Sequence, residues 1–92
     1  MAIPEVMRVD VTEDTLAVEL SDARTLIVPL AWYPRLLQGT PAERANWELT
    51  GGGQGIRWEE LDEDISVQHL ILGRKSSESR ASLKRWLDSR TA

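Results

Sequence analysis

Residues 8–30, RVDVTEDTLAVELSDARTLIVPL, decide the fold of this chain of 92 residues. Apolar side chains alternate with polar ones over residues 8–11, 16–20 and 25–30. A repeat of two is typical of strands that pack one face on a core and leave the other in water. The polar links between the runs are short enough for hairpins. The stretch therefore predicts three antiparallel strands. Because proline cannot donate a ladder hydrogen bond, the third strand either ends at Pro29 or lies at a sheet edge.

Helical signals follow this meander. Pro34 fits the first turn of a helix that begins near Trp32 or Tyr33, and Gly39 is placed to end it. The next residues, TPAE at 40–43, combine an N-cap threonine, a proline at the first helical position and a glutamate three residues after the cap. They predict a second short helix of one or two turns.

Two further strands are predicted over residues 47–49 and 56–58, which also alternate. The run between them, TGGGQG at residues 50–55, admits two interpretations. A phosphate-binding loop needs a helix N-terminus behind it, usually with a lysine and a hydroxyl residue. Here a strand pattern follows, so a structural turn or bulge is favoured.

The last part of the chain predicts two more helices. The first covers residues 67–72, where Ser66 supplies the N-cap and Ile71 is among the residues expected to face inward. The second begins after Ser77 or Ser79 and carries only a narrow apolar stripe. The expected fold class is therefore α+β: a mostly antiparallel sheet of about five strands, short helices on one face and a C-terminal helix.

The charge distribution divides the chain at Gly73. Residues 1–72 carry 5 basic and 13 acidic side chains, whereas residues 73–92 carry 6 basic and 2 acidic ones. We expect a compact α+β domain over residues 1–73 and a basic helical extension over residues 74–92. The absence of cysteine from the sequence excludes disulfides and thiolate metal sites. No run of about 20 apolar residues and no export signal is present, so we expect a cytoplasmic protein that does not span a membrane.

Three stretches resemble a small bacterial family called domain of unknown function 2442. They are VPLAWYPRL at 28–36, AERANW at 42–47 and GIRWEELDEDISV at 55–67. The resemblance runs from about Val6 to Gly73. It implies a compact α+β domain with no catalytic residues to carry over, and a gene that lies beside that of another small protein, in arrangements like toxin–antitoxin pairs.

Two positions depart from the pattern of that family. Ala23 stands where the family often has glycine, and Arg57 stands where it often has histidine. The second departure weakens a catalytic interpretation of His69, the one histidine in the sequence. A general base needs a partner held in reach, and no nucleophile is marked here. We therefore expect no catalytic residue, no metal and no cofactor.

Five acidic side chains occupy six positions in the run EELDED at 59–64. Three interpretations remain open for this run: a solvated loop, a surface that docks a partner, and a calcium or magnesium site. The spacing is not that of a calcium loop, so the loop is favoured. Asp62, Glu63 and Asp64 are the candidate residues for contact with a partner.

Aromatic side chains supply the other candidates. Trp47 and Trp58 flank the glycine run and are expected in the core, facing each other across the hairpin. Trp32 and Tyr33 are adjacent, so one of them is expected to reach the surface. That ring and Trp86 are candidate partner contacts, because aromatic residues dominate interface hot spots.

The basic C-terminal helix, with Lys84 and Arg85 as candidate contacts, also has three interpretations. It folds back on the acidic body, docks to an acidic partner or second copy, or meets nucleic acid. The leading hypothesis is a non-enzymatic protein-interaction module, which includes an antitoxin-like partner in a two-gene bacterial operon. The alternative is a regulatory module that contacts nucleic acid through the basic helix.

Overall fold

The N-terminal meander is confirmed in a computed structural model, which describes residues 3–91. Strands β1 (Val6–Val11), β2 (Thr15–Leu20) and β3 (Thr25–Pro29) form an antiparallel sheet in that order. Val9 lies opposite Val18, which in turn lies opposite Leu26. The side chains that alternate in the sequence therefore meet on one face, and Pro29 lies in an edge strand, as predicted.

The β2–β3 turn contains a strained residue. The Ala23 N–H donates to the Leu20 carbonyl at 3.1 Å, and Ala23 itself has a φ of 73°. A three-residue hairpin loop commonly ends with a residue in this left-handed region, where glycine is the usual choice. The strain thus falls on a position where the family that this sequence resembles often has glycine.

Three short helical segments follow the first sheet. A 3₁₀ turn (Leu30–Trp32) leads into α1 (Pro34–Gln38), and α2 (Pro41–Ala45) comes directly after it. The Thr40 hydroxyl accepts from the Glu43 N–H at 3.1 Å, and the Glu43 carboxylate accepts from the Thr40 N–H at 2.9 Å. The predicted capping box is therefore confirmed, since both orphan donors at this helix start are satisfied.

The second half of the chain forms another antiparallel sheet. Its strands are β4 (Glu48–Thr50), β5 (Gly55–Trp58) and β6 (Glu63–Ser66), in that order. The α+β class is confirmed, but the described residues contain six strands in two sheets rather than about five strands. The additional strand is β6, which was expected to be part of an acidic loop. Its alternation of apolar and polar residues is faint because Ile65 is its one apolar residue.

The glycine run is a turn between β4 and β5, as predicted. Gly51, Gly52 and Gly53 have φ values of 57°, 69° and 90°. Residues with a Cβ rarely adopt such angles, which accounts for consecutive glycines here. A strand, not a helix N-terminus, follows the run.

The core lies between the two sheets and the short helices. Trp58 is fully buried, and its indole N–H donates to the Arg44 carbonyl at 3.0 Å. Trp47 is only half-buried against the core. The core prediction is therefore confirmed for Trp58 and holds only in part for Trp47. The other largest fully buried side chains are Leu16, Leu30, Leu36, Ile56, Leu61, Val18 and Val67.

Two further helices complete the chain. Helix α3 (Val67–Ile71) is capped by Ser66, whose hydroxyl accepts from the His69 N–H at 3.1 Å. Residues 74–79, called the strap below, have no regular structure and lead to α4 (Arg80–Thr91). Among the helices of residues 3–91, none has the length and apolar character that a membrane crossing requires.

Candidate interaction groove

A polar groove lies between β6 and the strap. It consists of two adjoining cavities of about 490 and 390 Å³, both lined by Glu63, Asp64, Ser76 and Ser77. Arg35 and Glu78 extend the lining in the first cavity, whereas Tyr33, His69 and Lys75 extend it in the second. Residues far apart in sequence therefore meet here, including four of the acidic and aromatic candidates, Tyr33, Asp62, Glu63 and Asp64.

The strap is held in place by contacts with the segment that precedes α1. The Tyr33 hydroxyl donates to the Arg74 carbonyl at 3.0 Å, and the Ser76 N–H donates to the Trp32 carbonyl at 3.0 Å. The Lys75 ammonium lies 5.6 Å from the centre of the Trp32 ring, within the range of a cation–π contact. These contacts fix one wall of the groove.

An ion pair between Arg35 and Glu78 ties the strap to α1. The guanidinium of Arg35 donates from two nitrogens to the Glu78 carboxylate, and both side chains are largely buried. It also donates to the Asp62 carbonyl at 3.1 Å. The hydrogen bond from Arg35 lowers the pKa of Glu78 below its usual value. Glu78 is therefore ionised, and its carboxylate is occupied by Arg35 and by the Ser82 hydroxyl.

Glu63 is the unusual carboxylate of the groove. It belongs to β6 and lies opposite Trp58 in the ladder, so its side chain shares the inner face of the sheet with that buried ring. Burial raises its pKa to about 7, against a smaller opposing effect of the Arg35 charge. Within residues 3–91 it makes no salt bridge to a basic side chain.

The other acidic candidates surround Arg57 on the outer face of the second sheet. Its guanidinium donates to Asp64 at 2.6 Å, to Glu59 at 2.7 Å and to Asp62 at 3.2 Å. The acidic run, for which the sequence favours a solvated loop, is thus divided. Asp62 and Asp64 are exposed and paired, whereas Glu63 is half-buried and has no basic partner among residues 3–91.

The aromatic candidates are less exposed than expected. Tyr33 is 4% exposed and its hydroxyl is occupied, so the structure does not present its ring to a partner. Trp32 is half-buried beneath Lys75. Of this pair, Trp32 is therefore the one that reaches the surface, in keeping with the expectation that only one would.

Helix α4 folds back on the acidic body, one of the three arrangements that the sequence left open. Trp86 lies between two guanidinium groups, 5.1 Å from that of Arg35 and 4.7 Å from that of Arg90. Arg90 also donates to both carboxylate oxygens of Glu43, at 2.7 and 2.9 Å. These contacts lower the pKa of Glu43. Trp86 is therefore occupied by intramolecular contacts.

The remaining basic candidates on α4 stay at the surface. Lys84 donates to Asp88 one helical turn away at 3.0 Å, and Arg85 is exposed. Neither contacts the groove.

A separate surface cavity, missed by the sequence interpretation, is apolar. It has a volume of about 400 Å³ and is lined by Ile3, Pro4, Ile71 and Leu72, with Asp22 and Arg24 at its rim. Ile71 was expected to face inward but is 38% exposed. The short helix ends at this residue, so the end of its apolar stripe passes beyond the core.

The groove brings His69 near Glu63, Asp64 and several serines. Within residues 3–91 the His69 ring forms no hydrogen bond with an acidic side chain or a hydroxyl. The described residues also contain no group of three histidine, aspartate or glutamate side chains placed to hold a metal ion.

These features define a small α+β domain of two three-stranded antiparallel sheets, with a polar groove closed on one side by a C-terminal strap. The chain belongs to the family described as protein of unknown function DUF2442, whose model matches residues 6–76. The resemblance noted from the sequence is thus confirmed, and the match reaches three residues beyond Gly73 into the strap.

Two solved structures have a similar fold. One is a protein of unknown function from Rhodospirillum rubrum, with a TM-score of 0.68 and 25% identity over 85% of this chain and 94% of that one. The other is an uncharacterised protein from Chromobacterium violaceum, with a TM-score of 0.67 and 25% identity over 79% of this chain and 69% of that one. None of the curated proteins matches this chain.

Proposed function

We propose that this protein is a non-enzymatic protein-interaction module and that the groove between β6 and the strap is its binding surface. Its partner is another small protein, encoded beside it in the manner of an antitoxin and its toxin. A cytoplasmic location forms part of the same proposal. The observation that carries it is an open polar groove along the edge of a three-stranded sheet.

The chemistry of the groove supports a protein partner over a small molecule. Small-molecule sites are mostly apolar and enclose most of their ligand. This groove is open and is lined by Arg35, Glu63, Asp64, Glu78 and hydroxyl groups of the strap. A sheet edge, in turn, offers unpaired backbone groups to another chain.

The alternative of a nucleic-acid contact has less support. Two basic side chains of α4, Lys84 and Arg90, are paired with carboxylates of the same chain. The acidic body beside the helix repels phosphates, and phosphate contacts provide most of the affinity of a protein for nucleic acid. Arg80 and Arg85 alone offer little for such binding.

The experiment is a titration of the purified product of the neighbouring gene, followed by calorimetry and size-exclusion chromatography. Ser77→Trp fills the groove with a bulky ring at an exposed position. Ser89→Trp makes the same change at an exposed serine of α4 outside the groove. We expect the wild type and Ser89→Trp to bind, and Ser77→Trp to bind at least tenfold more weakly.

Three results would contradict the proposal. Equal binding by both tryptophan variants would place the interface elsewhere, with the apolar cavity at Ile71 and Leu72 as the next surface to test. No binding by the wild type would exclude the neighbouring protein as the partner. A DNA mobility shift that is lost with Lys84→Glu and Arg85→Glu would favour the nucleic-acid alternative.

A further inference from the structure

The backbone of β6 has an open side that faces away from β5. The Val67 N–H donates to the Gln54 carbonyl at 3.0 Å, so these two residues form a hydrogen-bonded pair just beyond the paired ends of the strands. Such pairs recur at every second residue of an antiparallel ladder. Glu63 and Ile65 therefore direct their backbone groups toward β5, and Asp64 directs its N–H and carbonyl outward.

The outward carbonyl of Asp64 accepts no hydrogen bond within the described part of the chain, residues 3–91. The Asp64 N–H donates to the carboxylate of its neighbour Glu63, a contact that lowers the Glu63 pKa against the larger effect of burial. Asp64 lines both cavities of the groove, so this strand edge borders the groove. The groove thus offers an incoming backbone a strand edge with an open carbonyl, where the one local contact to be exchanged is that of the Asp64 N–H with the Glu63 carboxylate.

The side chains of the groove indicate the charge of the occupant. Arg35 is occupied by Glu78 and Asp62, and Asp64 is occupied by Arg57. Glu63 is the carboxylate that lines the groove without a basic partner among residues 3–91. An ammonium or guanidinium group in the groove would complete its ion pair.

We propose that an extended segment of the partner pairs with β6 as a fourth strand of the second sheet and places a lysine or arginine side chain against Glu63. This inference rests on the proposed protein-binding function and specifies how the partner is held. The four residues of β6 span about 13 Å, so three or four residues of the partner pair with it. Backbone hydrogen bonds hold the segment, and Glu63 selects its charge.

The first test isolates the outward N–H of Asp64 by comparing two variants. Proline is tolerated in an edge strand where its missing N–H would face away from the ladder, so Asp64→Pro leaves the bonds to β5 intact. Asp64→Ala is the matched variant, since it loses the carboxylate and the contact with Arg57 but keeps the N–H.

A control variant makes the same change at the opposite edge of the sheet. Ile56 directs its backbone groups toward Ile65 of β6, so its other neighbour, Leu49 of β4, directs its N–H outward. Leu49→Pro therefore removes an outward N–H from β4 instead of β6. With the neighbouring protein as the probe, we expect Asp64→Pro to bind five- to tenfold more weakly than Asp64→Ala, and Leu49→Pro to bind like the wild type.

The second test uses peptides of stated composition and does not depend on the identity of the partner. An acetylated peptide of four Val-Lys repeats is titrated into the ¹⁵N-labelled protein, with four Val-Glu repeats as the control. We expect the Val-Lys peptide to shift the amide signals of Asp64 and Ser66, and the Val-Glu peptide to leave them unchanged. Glu63→Gln should weaken the binding of the Val-Lys peptide at least threefold.

The outcomes separate this inference from the proposed function. If the neighbouring protein binds the wild type and binds Asp64→Pro and Asp64→Ala equally, the module binds its partner without strand addition and the inference is wrong. If the neighbouring protein does not bind but the Val-Lys peptide shifts Asp64, strand addition is supported and the proposed partner is wrong. Equal shifts with both peptides would contradict the role of Glu63, and no shift with either peptide would contradict the open edge. This peptide experiment needs no variant that must fold.

Discussion

Replacement of Glu63 by glutamine is expected to stabilise the protein above neutral pH. The side chain lies on the inner face of β6, opposite Trp58, and lacks a basic partner among residues 3–91. Burial raises its pKa from 4.5 to about 7. Glutamine has nearly the same shape and carries no proton that it could lose, so it keeps the packing and removes the ionisation.

The sign and size of the effect follow from proton linkage. Between pH 4.5 and about 7 the folded protein keeps a proton on Glu63 that the unfolded chain has released, so the free energy of unfolding falls as pH rises. Below that range the carboxyl is protonated in both states and the loss disappears. The full shift corresponds to about 3 kcal/mol, and the part of the carboxyl that still faces water reduces the expected loss to about 1–2 kcal/mol.

The assay is urea unfolding followed by tryptophan fluorescence at pH 5 and pH 8. The variant should gain about 1–2 kcal/mol over the wild type at pH 8 and much less at pH 5. Glu48→Gln is the control, because Glu48 is an exposed carboxylate of the same sheet and its replacement should change the free energy of unfolding by less than about 0.5 kcal/mol. A variant less stable than the wild type at pH 8 would refute the reasoning, because the ionised carboxylate would then make a favourable contact.

Three further comparisons test the fold. Trp58→Ala should cost about 3–5 kcal/mol in urea unfolding, and Trp47→Ala less than about 2 kcal/mol, because the second ring is only half-buried; equal losses would contradict this difference in burial. Ala23→Gly should raise the free energy of unfolding by about 0.5–1 kcal/mol by relieving a positive φ, and a loss would show that the turn is unstrained. Deletion of residues 80–92 should leave a cooperative fold by circular dichroism, whereas deletion of residues 74–92 should cost more because Arg35 loses its buried carboxylate partner; an unfolded protein after the shorter deletion would make α4 part of the core.

Local features of this fold could be predicted because neighbouring residues create them. The alternation over residues 8–30 determines which face of each strand packs inward, and the burial of side chains in all three strands confirms these faces. Thr40 and Ser66 cap their helices through backbone groups only three residues away. The glycine run forms its turn through its own positive φ angles.

Strand β6 could not be predicted in the same way. Its residues are acidic or polar except Ile65, so its pattern resembles that of a loop. It becomes a strand because β5 lies beside it and Trp58 and Ile56 cover its inner face. Tertiary pairing thus overrides a weak local preference.

The sequence by itself determined the α+β class, the helix caps, the turns and the opposite charges of the body and the C-terminal helix, since all of these depend on residue type and short spacing. Only the tertiary structure decided which charges meet. It paired Arg35 with Glu78 and Arg90 with Glu43, residues more than 40 positions apart, and left Glu63 half-buried without a basic partner among residues 3–91. Burial and charge pairing depend on distances in space, and no local pattern in the sequence encodes those distances.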